Sequence, residues 1–308
     1  MMTIEKIFCP TNLHSSHDEA LRYALALAKD HEAKLLVCYV AETKELSDDM
    51  VSDLRAQLTD AVQRHCYQAD SGRLGVPDWE PVIATGDAEE AIPRVAAAEH
   101  ADLIVMHSRR QSYAATLLGS TAEAVSRSAP CPVLITHPHE HDWVNSETGA
   151  IQLKNILMAY DFSNDSELAL SLALLFAEQY QAALHLLHVI PTSGEAAQCS
   201  SDELETLAID LQNAVPEEAQ LWCEVVTAVH EGTPYREILE YADEHDIDLV
   251  CLGVSGIGSE LQTLFGSHVE PVLRQASCPV LIARPLKAAS LVLAESKTQG
   301  EAQLVVEA

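Results

Sequence analysis

Asp248-Leu249-Val250-Cys251-Leu252-Gly253-Val254-Ser255-Gly256, followed after nine residues by Gly266-Ser267, is the stretch whose reading decides the fold. Leu249 to Leu252 is a short apolar run of the kind that forms a buried parallel strand, ending at Gly253. Ser267 suits the N-cap of a helix running through Val272 to Gln275. Glycines between a strand end and a helix start let backbone N–H groups approach phosphate oxygens, and the helix dipole adds partial positive charge. The competing reading is a tight strand-to-helix connection and nothing more. A damaged copy of the stretch lies earlier in the chain, where His107-Ser108-Arg109-Arg110 is followed by eight residues and Gly119-Ser120.

Working outward, the whole chain repeats. Lys6 to Asn12 aligns with Asn155 to Asp161, and Lys34 to Val40 with Ala183 to Val189. Gly86 matches Gly232, Asp102 to Met106 matches Asp248 to Leu252, and Cys131-Pro132-Val133-Leu134-Ile135 recurs at Cys278 to Ile282. Each copy alternates short apolar runs with longer helical periodicities. The first helix shows a stripe of Leu21, Leu25 and Ala28 in one copy, and Leu168, Leu172, Leu175 and Phe176 in the other. Ser15 and Ser16, and Asn164 in the second copy, stand as capping signals before it. The second helix carries Met50, Leu54, Leu58 and Ala61, against Leu204, Leu207, Ala208 and Leu211. Pro93 interrupts the third helix of the first copy and should kink or shorten it.

Such alternation predicts an α/β architecture of two tandem doubly wound domains. Each is a five-stranded parallel sheet, order 3-2-1-4-5, with helices on both faces. Residues 1–138 make the first domain, 139–151 a polar linker, 152–286 the second domain and 287–308 a loosely held tail. In this order strands 1 and 4 are neighbours where the winding reverses, so ligand is expected outside their carboxyl ends. Ala159-Tyr160-Asp161 and the glycine loop then face one crevice.

The chain has 47 acidic and 18 basic residues and a net charge of −29, which opposes nucleic acid and anionic membrane as partners. The acidic excess reads as a solvated surface, with an acidic-partner site as the alternative. No apolar run reaches the length of a membrane span, and the amino terminus has no signal-peptide shape. Eight scattered cysteines without a CxxC pair fit a reduced cytoplasm.

The residues now in view resemble the universal stress protein family in its tandem two-domain form, over about residues 3–138 and 152–286. The second copy carries that family's Gly, two residues, Gly, nine residues, Gly-Ser pattern at Gly253, Gly256, Gly266 and Ser267. It also has Asp161 at the end of strand 1, the turn Val229 to Pro234, and the Cys-Pro-Val-Leu-Ile opening of strand 5. The resemblance implies an adenine nucleotide, ATP with or without magnesium, in the second copy. Asp161 would sit near adenine or ribose, Ala159 and Val189 would line the base pocket, and Gly253 and Gly256 would carry the loop past ribose and phosphates. Gly266 and Ser267 would meet the terminal phosphates, and Tyr160, Leu252 and His268 adjoin these positions. The same resemblance implies that the two domains pair through their fifth strands as an intramolecular pseudo-dimer; a homodimer of whole chains and an unidentified protein partner stay open. The first copy lacks both early glycines and has Asn12 in place of Asp161, so it is expected to be mainly structural.

Neither a G-x-S-x-G elbow, an H-E-x-x-H pair nor a P-loop lysine is present, so no catalytic residue is assigned. A slow ATPase and a nucleotide-independent scaffold remain the rival readings. His137, His139 and His141 in the linker, and His14 with His17, have spacings that could suit a metal; flexible polar positions are the plainer account. Arg109 and Arg110 could attract an anion or be solvated surface.

Overall fold

The apolar runs become strands of a single sheet. In a computed structural model, which describes residues 3–13, 18–67, 76–108, 119–136, 142–145, 148–192, 200–254 and 268–284, the first copy comprises nine elements. They are β1 (Lys6–Pro10), α1 (Glu19–Asp30), β2 (Lys34–Ala41), α2 (Asp48–Tyr67), β3 (Trp79–Thr85), α3 (Ala88–Ala98), β4 (Leu103–His107), α4 (Ser120–Ser128) and β5 (Val133–Thr136). The second copy follows with β6 (Asn155–Ala159), α5 (Asn164–Tyr180), β7 (Ala183–Pro191), α6 (Ser201–Ala214), β8 (Val225–Gly232), α7 (Pro234–Glu244), β9 (Leu249–Gly253), α8 (Val269–Gln275) and β10 (Val280–Ala283).

The sheet has ten strands in the order β3-β2-β1-β4-β5-β10-β9-β6-β7-β8. Each half is the expected 3-2-1-4-5, parallel within itself, and β5 meets β10 antiparallel. One face is covered by α1, α2, α5 and α6, the other by α3, α4, α7 and α8, and each apolar layer runs on across both copies. The strand interiors, such as Leu103 to Met106 and Leu249 to Leu252, are buried, as strands covered on both faces must be.

Details at the helices differ from the sequence expectation. α1 is capped by Asp18, whose carboxylate accepts the Leu21 N–H at 3.1 Å. α5 is capped by Ser163 rather than Asn164, because the Ser163 hydroxyl reaches the Ser166 N–H at 3.2 Å. Ser15 and Ser16 lie outside the described residues. Met50 faces solvent; of the expected stripe α2 buries Leu58 and Ala61, together with Val62, beginning two turns further along. Pro93 lies inside α3 without shortening it, since α3 and α7 both run eleven residues.

Two aspartates of the repeated motif have a structural task. Asp102 Oδ2 accepts the backbone N–H groups of Glu5 and Lys6 at 3.0 and 2.9 Å; Asp248 Oδ2 does the same for Lys154 and Asn155 at 2.8 and 2.9 Å. They tie the start of strand 4 to the start of strand 1, where the sheet ladder supplies no acceptor.

The copies are joined by more than a tether. Trp143, 1% exposed, and Val144 are buried, with the Trp143 ring edge-on to Tyr23 at 4.6 Å. Arg22 bonds both Val144 O and the Asp142 carboxylate, and the Tyr23 hydroxyl donates to Asp142 at 2.7 Å. The linker, expected to be polar and solvated, is therefore docked on α1 at 142–145. At the far end of the same layer the ring nitrogen of His31 lies 3.2 Å from the Tyr180 hydroxyl, with Phe176 beside it.

Burial holds the His31 imidazole below its ordinary range, opposed in part by Asp30. Burial, then the neighbouring His245, does the same to His185, which bonds the Tyr241 hydroxyl at 3.0 Å. Both are harder to protonate in the folded chain than in the unfolded one, so the unfolded chain takes up more protons once pH falls below about 6.5. Their contribution to stability is full above that value and is lost as pH drops towards the depressed folded values. The urea midpoint should fall between about pH 7.5 and about pH 5, and combining His31→Gln with His185→Gln should make that fall smaller.

Candidate functional site

Parallel winding brings the carboxyl ends of β6 and β9 side by side, with Ile156 opposite Leu249 and Met158 opposite Cys251. This is the point where the strand order reverses, the place at which open sheets of this kind take their ligands. Ala159, Val189, Leu252 and Val254 share the layer under α7 and α8, so they form one apolar wall.

Gly253, between Leu252 and Val254, alternates onto the other face, towards α5, and is glycine there for a steric reason. A Cβ there would stand 2.8 Å from the carbonyl carbon of Asp165 and 2.9 Å from its oxygen, too close for any side chain. The strand end can approach the first turn of α5 only with a bare main chain.

The remaining positions divide. Tyr160 points into the opposite layer, where its ring packs 5.0 Å from Phe162, and Phe162 packs 5.1 Å from His188. The Tyr160 carbonyl accepts the His188 Nδ1–H at 2.8 Å. Tyr160 thus anchors the turn, and its ring does not line the same wall as Ala159. Asp161 Oδ1 accepts from the Ser163 N–H at 3.1 Å and the Ser163 hydroxyl at 2.5 Å. Those bonds hold a turn in which Phe162 has φ of 61°. Leu13 has the same φ in the first copy, so the turn belongs to the architecture and not to any one ligand. His268 takes the N-cap position of α8, one residue beyond the expected Ser267, and its side chain makes no capping bond. Burial lowers its imidazole pKa. Gly256, Gly266 and Ser267 lie outside the described residues.

In the first copy the register position of Gly253 is held by His107. Its Nδ1 is 3.4 Å from Thr136 Oγ1 and 3.8 Å from Glu19 Oε2. An imidazole, a carboxylate and a hydroxyl stand where, in the second copy, the backbone of Asp165 comes up against Gly253. The first strand ends differently too: the Thr11 hydroxyl donates to Asp18 at 2.5 Å, and Asn12 replaces the acidic residue.

Among the described residues no three His, Cys, Asp or Glu side chains gather as a metal group, and no helix is long and apolar enough to cross a membrane. The histidines at 14, 17, 137, 139 and 141, and Arg109 with Arg110, lie outside the described residues. Two residues near the crevice went unread in the sequence. His188 carries no motif, and its hydrogen bond to Tyr160 depends on a tertiary contact. Arg284, just after β10, is buried although it is an arginine at a strand end; the only sequence signal was that the first copy has His137 there. Gly253→Ala should cost about 1–3 kcal/mol through overpacking against Asp165, read as a lower urea midpoint with an unchanged slope.

Comparison with known proteins supplies the family and the fold. A sequence profile of the universal stress protein family matches residues 3–137 and again 152–284. A universal stress protein of Methanocaldococcus jannaschii is 30% identical over 142 residues, covering 44% of this chain and 84% of that protein. Universal stress protein YxiE of Bacillus subtilis is 32% identical over 148 residues, covering 42% of this chain and 97% of its own length. Among solved structures, a universal stress protein from Archaeoglobus fulgidus superposes with a TM-score of 0.62 at 23% identity, covering 91% of this chain and 98% of that one, a likeness of fold. With two matches to one profile and a ten-stranded sheet built from two 3-2-1-4-5 halves, the chain belongs to the universal stress protein family as a tandem two-domain member.

Proposed function

We propose that the second copy binds ATP, with magnesium accompanying the phosphates, and that the first copy serves mainly as its structural partner. In this reading residues 152–286 are the nucleotide domain, 1–138 the degenerate one, 139–151 the linker and 287–308 a tail. The protein acts in the cytoplasm as a regulatory component of a stress response, changing how a protein partner is engaged when nucleotide is bound. One observation carries the proposal: in the second copy strand 4 ends in a glycine tight against Asp165, beside an apolar wall, where the first copy carries the His107 side chain next to Thr136 and Glu19. A flat base fits against Ala159, Val189 and Leu252, while the glycine-containing loop that follows offers backbone N–H groups to phosphate.

A scaffold role without nucleotide has one observation in its favour, since Leu221 is 87% exposed and Trp222 lies beside it at the surface. Titration calorimetry separates the two. The wild-type chain should bind ATP, and Gly256→Trp, which fills the loop, should lose that binding by about a hundredfold or more. Equal affinities would remove the assigned site. No heat and no thermal shift with ATP would favour the scaffold.

A further inference from the structure

A triphosphate brought to this crevice meets an electrostatic problem. Asp161, Asp165 and Glu167 lie at the turn and first helical turn beside it, in a chain of net charge −29. The loop 255–267 contains no lysine or arginine and adds Glu260. Its backbone N–H groups contribute partial charges only. Beyond the magnesium that accompanies the phosphates, full positive charge has to come from a side chain elsewhere in the chain.

The described part of the second copy, from residue 152 on, holds four Lys or Arg residues: Lys154, Arg236, Arg274 and Arg284. Lys154 stands at the amino end of β6, the opposite end of the sheet from the crevice. Arg274, in the last turn of α8, is engaged with Glu270 and with Glu123 of the first copy. Arg236 is exposed near the outer strand β8, bonded to the Tyr235 hydroxyl at 3.1 Å. Arg284 differs from all three. It follows Ala283, which pairs with Gly253, so it flanks the root of the loop. Alternation along β10 puts it on the face that Ile282 shares with Leu252 and Val254.

Arg284 is 5% exposed. Among the described residues its guanidinium makes one hydrogen bond, from Nη1 to the carbonyl of Ser126 in the last turn of α4. The carboxyl end of that helix carries partial negative charge and helps hold the cation. Burial lowers the Arg284 pKa and Asp165 pushes it back. A guanidinium has five N–H donors; among the described residues no Arg284 nitrogen is both buried and without a partner, so the donors that Ser126 leaves over keep a little solvent contact and are open to an anion.

We infer that Arg284, held at the seam by α4 of the first copy, is the cation that reads phosphate charge in the second copy's crevice. This rests on the nucleotide reading above and deepens it. The ligand recognised is an adenine nucleotide in its polyphosphate form, and the first copy contributes by presenting the helix end against which the cation is set.

The test is a series of affinities for ATP, ADP, AMP and adenosine, measured on the full chain for wild type, Arg284→Met and Arg284→Lys. In Arg284→Met, ATP affinity should fall by about tenfold or more, with the loss shrinking through ADP and AMP and being under about threefold for adenosine. Arg284→Lys keeps the charge and should hold ATP within about fivefold of wild type. A merely structural role would weaken all four ligands alike in Arg284→Met, and that uniform loss, or no loss, would overturn the assignment of Arg284. Should Arg284→Met fail to fold, the lysine variant and the salt dependence of wild-type ATP binding decide: the lysine variant failing to discriminate ATP from adenosine would overturn it equally. Failure of wild type to bind any of the four would overturn the nucleotide reading itself, a distinct result.

Discussion

The antiparallel meeting of β5 and β10 is the constraint on which the rest of this molecule depends. Val133, Leu134 and Ile135 on one side and Val280, Leu281 and Ile282 on the other are fully buried. Each strand has only four residues, and alone it would present an apolar edge with unpaired backbone groups. Pairing removes both edges at once, and burial of each of these side chains is worth about 1.5–3 kcal/mol. Above the seam Glu123 and Arg127 of α4 interleave with Glu270 and Arg274 of α8, related residues in related places. The partly exposed pairs add register and orientation more than stability.

A sheet joined in this way points the carboxyl ends of the two halves in opposite directions. The carboxyl end of β10 therefore lies beside the amino end of β5, and Arg284 falls next to the last turn of α4. The same geometry lets the linker settle against α1 and lets α1 touch α5 through His31 and Tyr180. Duplication thus gives each copy neighbours that a lone domain lacks. Sequence changes can then be borne unequally: one crevice is free to accumulate His107 and Asn12, while the other keeps its bare glycine.

The fold was largely legible because its signals are local and repeated. Apolar runs bounded by glycine and proline reported the strands, and right-handed connection rules left one sensible order for each half. The site was legible in part. Gly253 was singled out from the motif, but its reason was not, since the nearest obstacle is the backbone of Asp165, far off in sequence. Tyr160 was grouped with Ala159 because they are adjacent in the chain; successive residues at a strand end face opposite layers, and its ring packs with Phe162 and His188. Met50 fitted a helical stripe, yet α2 meets the core only at Leu58, two turns later, a matter of how the helix is laid down. Trp143 was hidden in a stretch whose polar composition said linker.

By itself the sequence determined the duplication, the alternation of strand and helix, and the loss of two glycines from the first loop, because these are patterns of residue type and spacing along one chain. Only the tertiary structure decided that His107 takes up the space opposite Glu19, that the linker's tryptophan belongs to the core, and that a buried arginine at the end of the last strand leans on a helix of the other copy. Those outcomes depend on which distant backbones approach within a few ångströms, and no local periodicity encodes that.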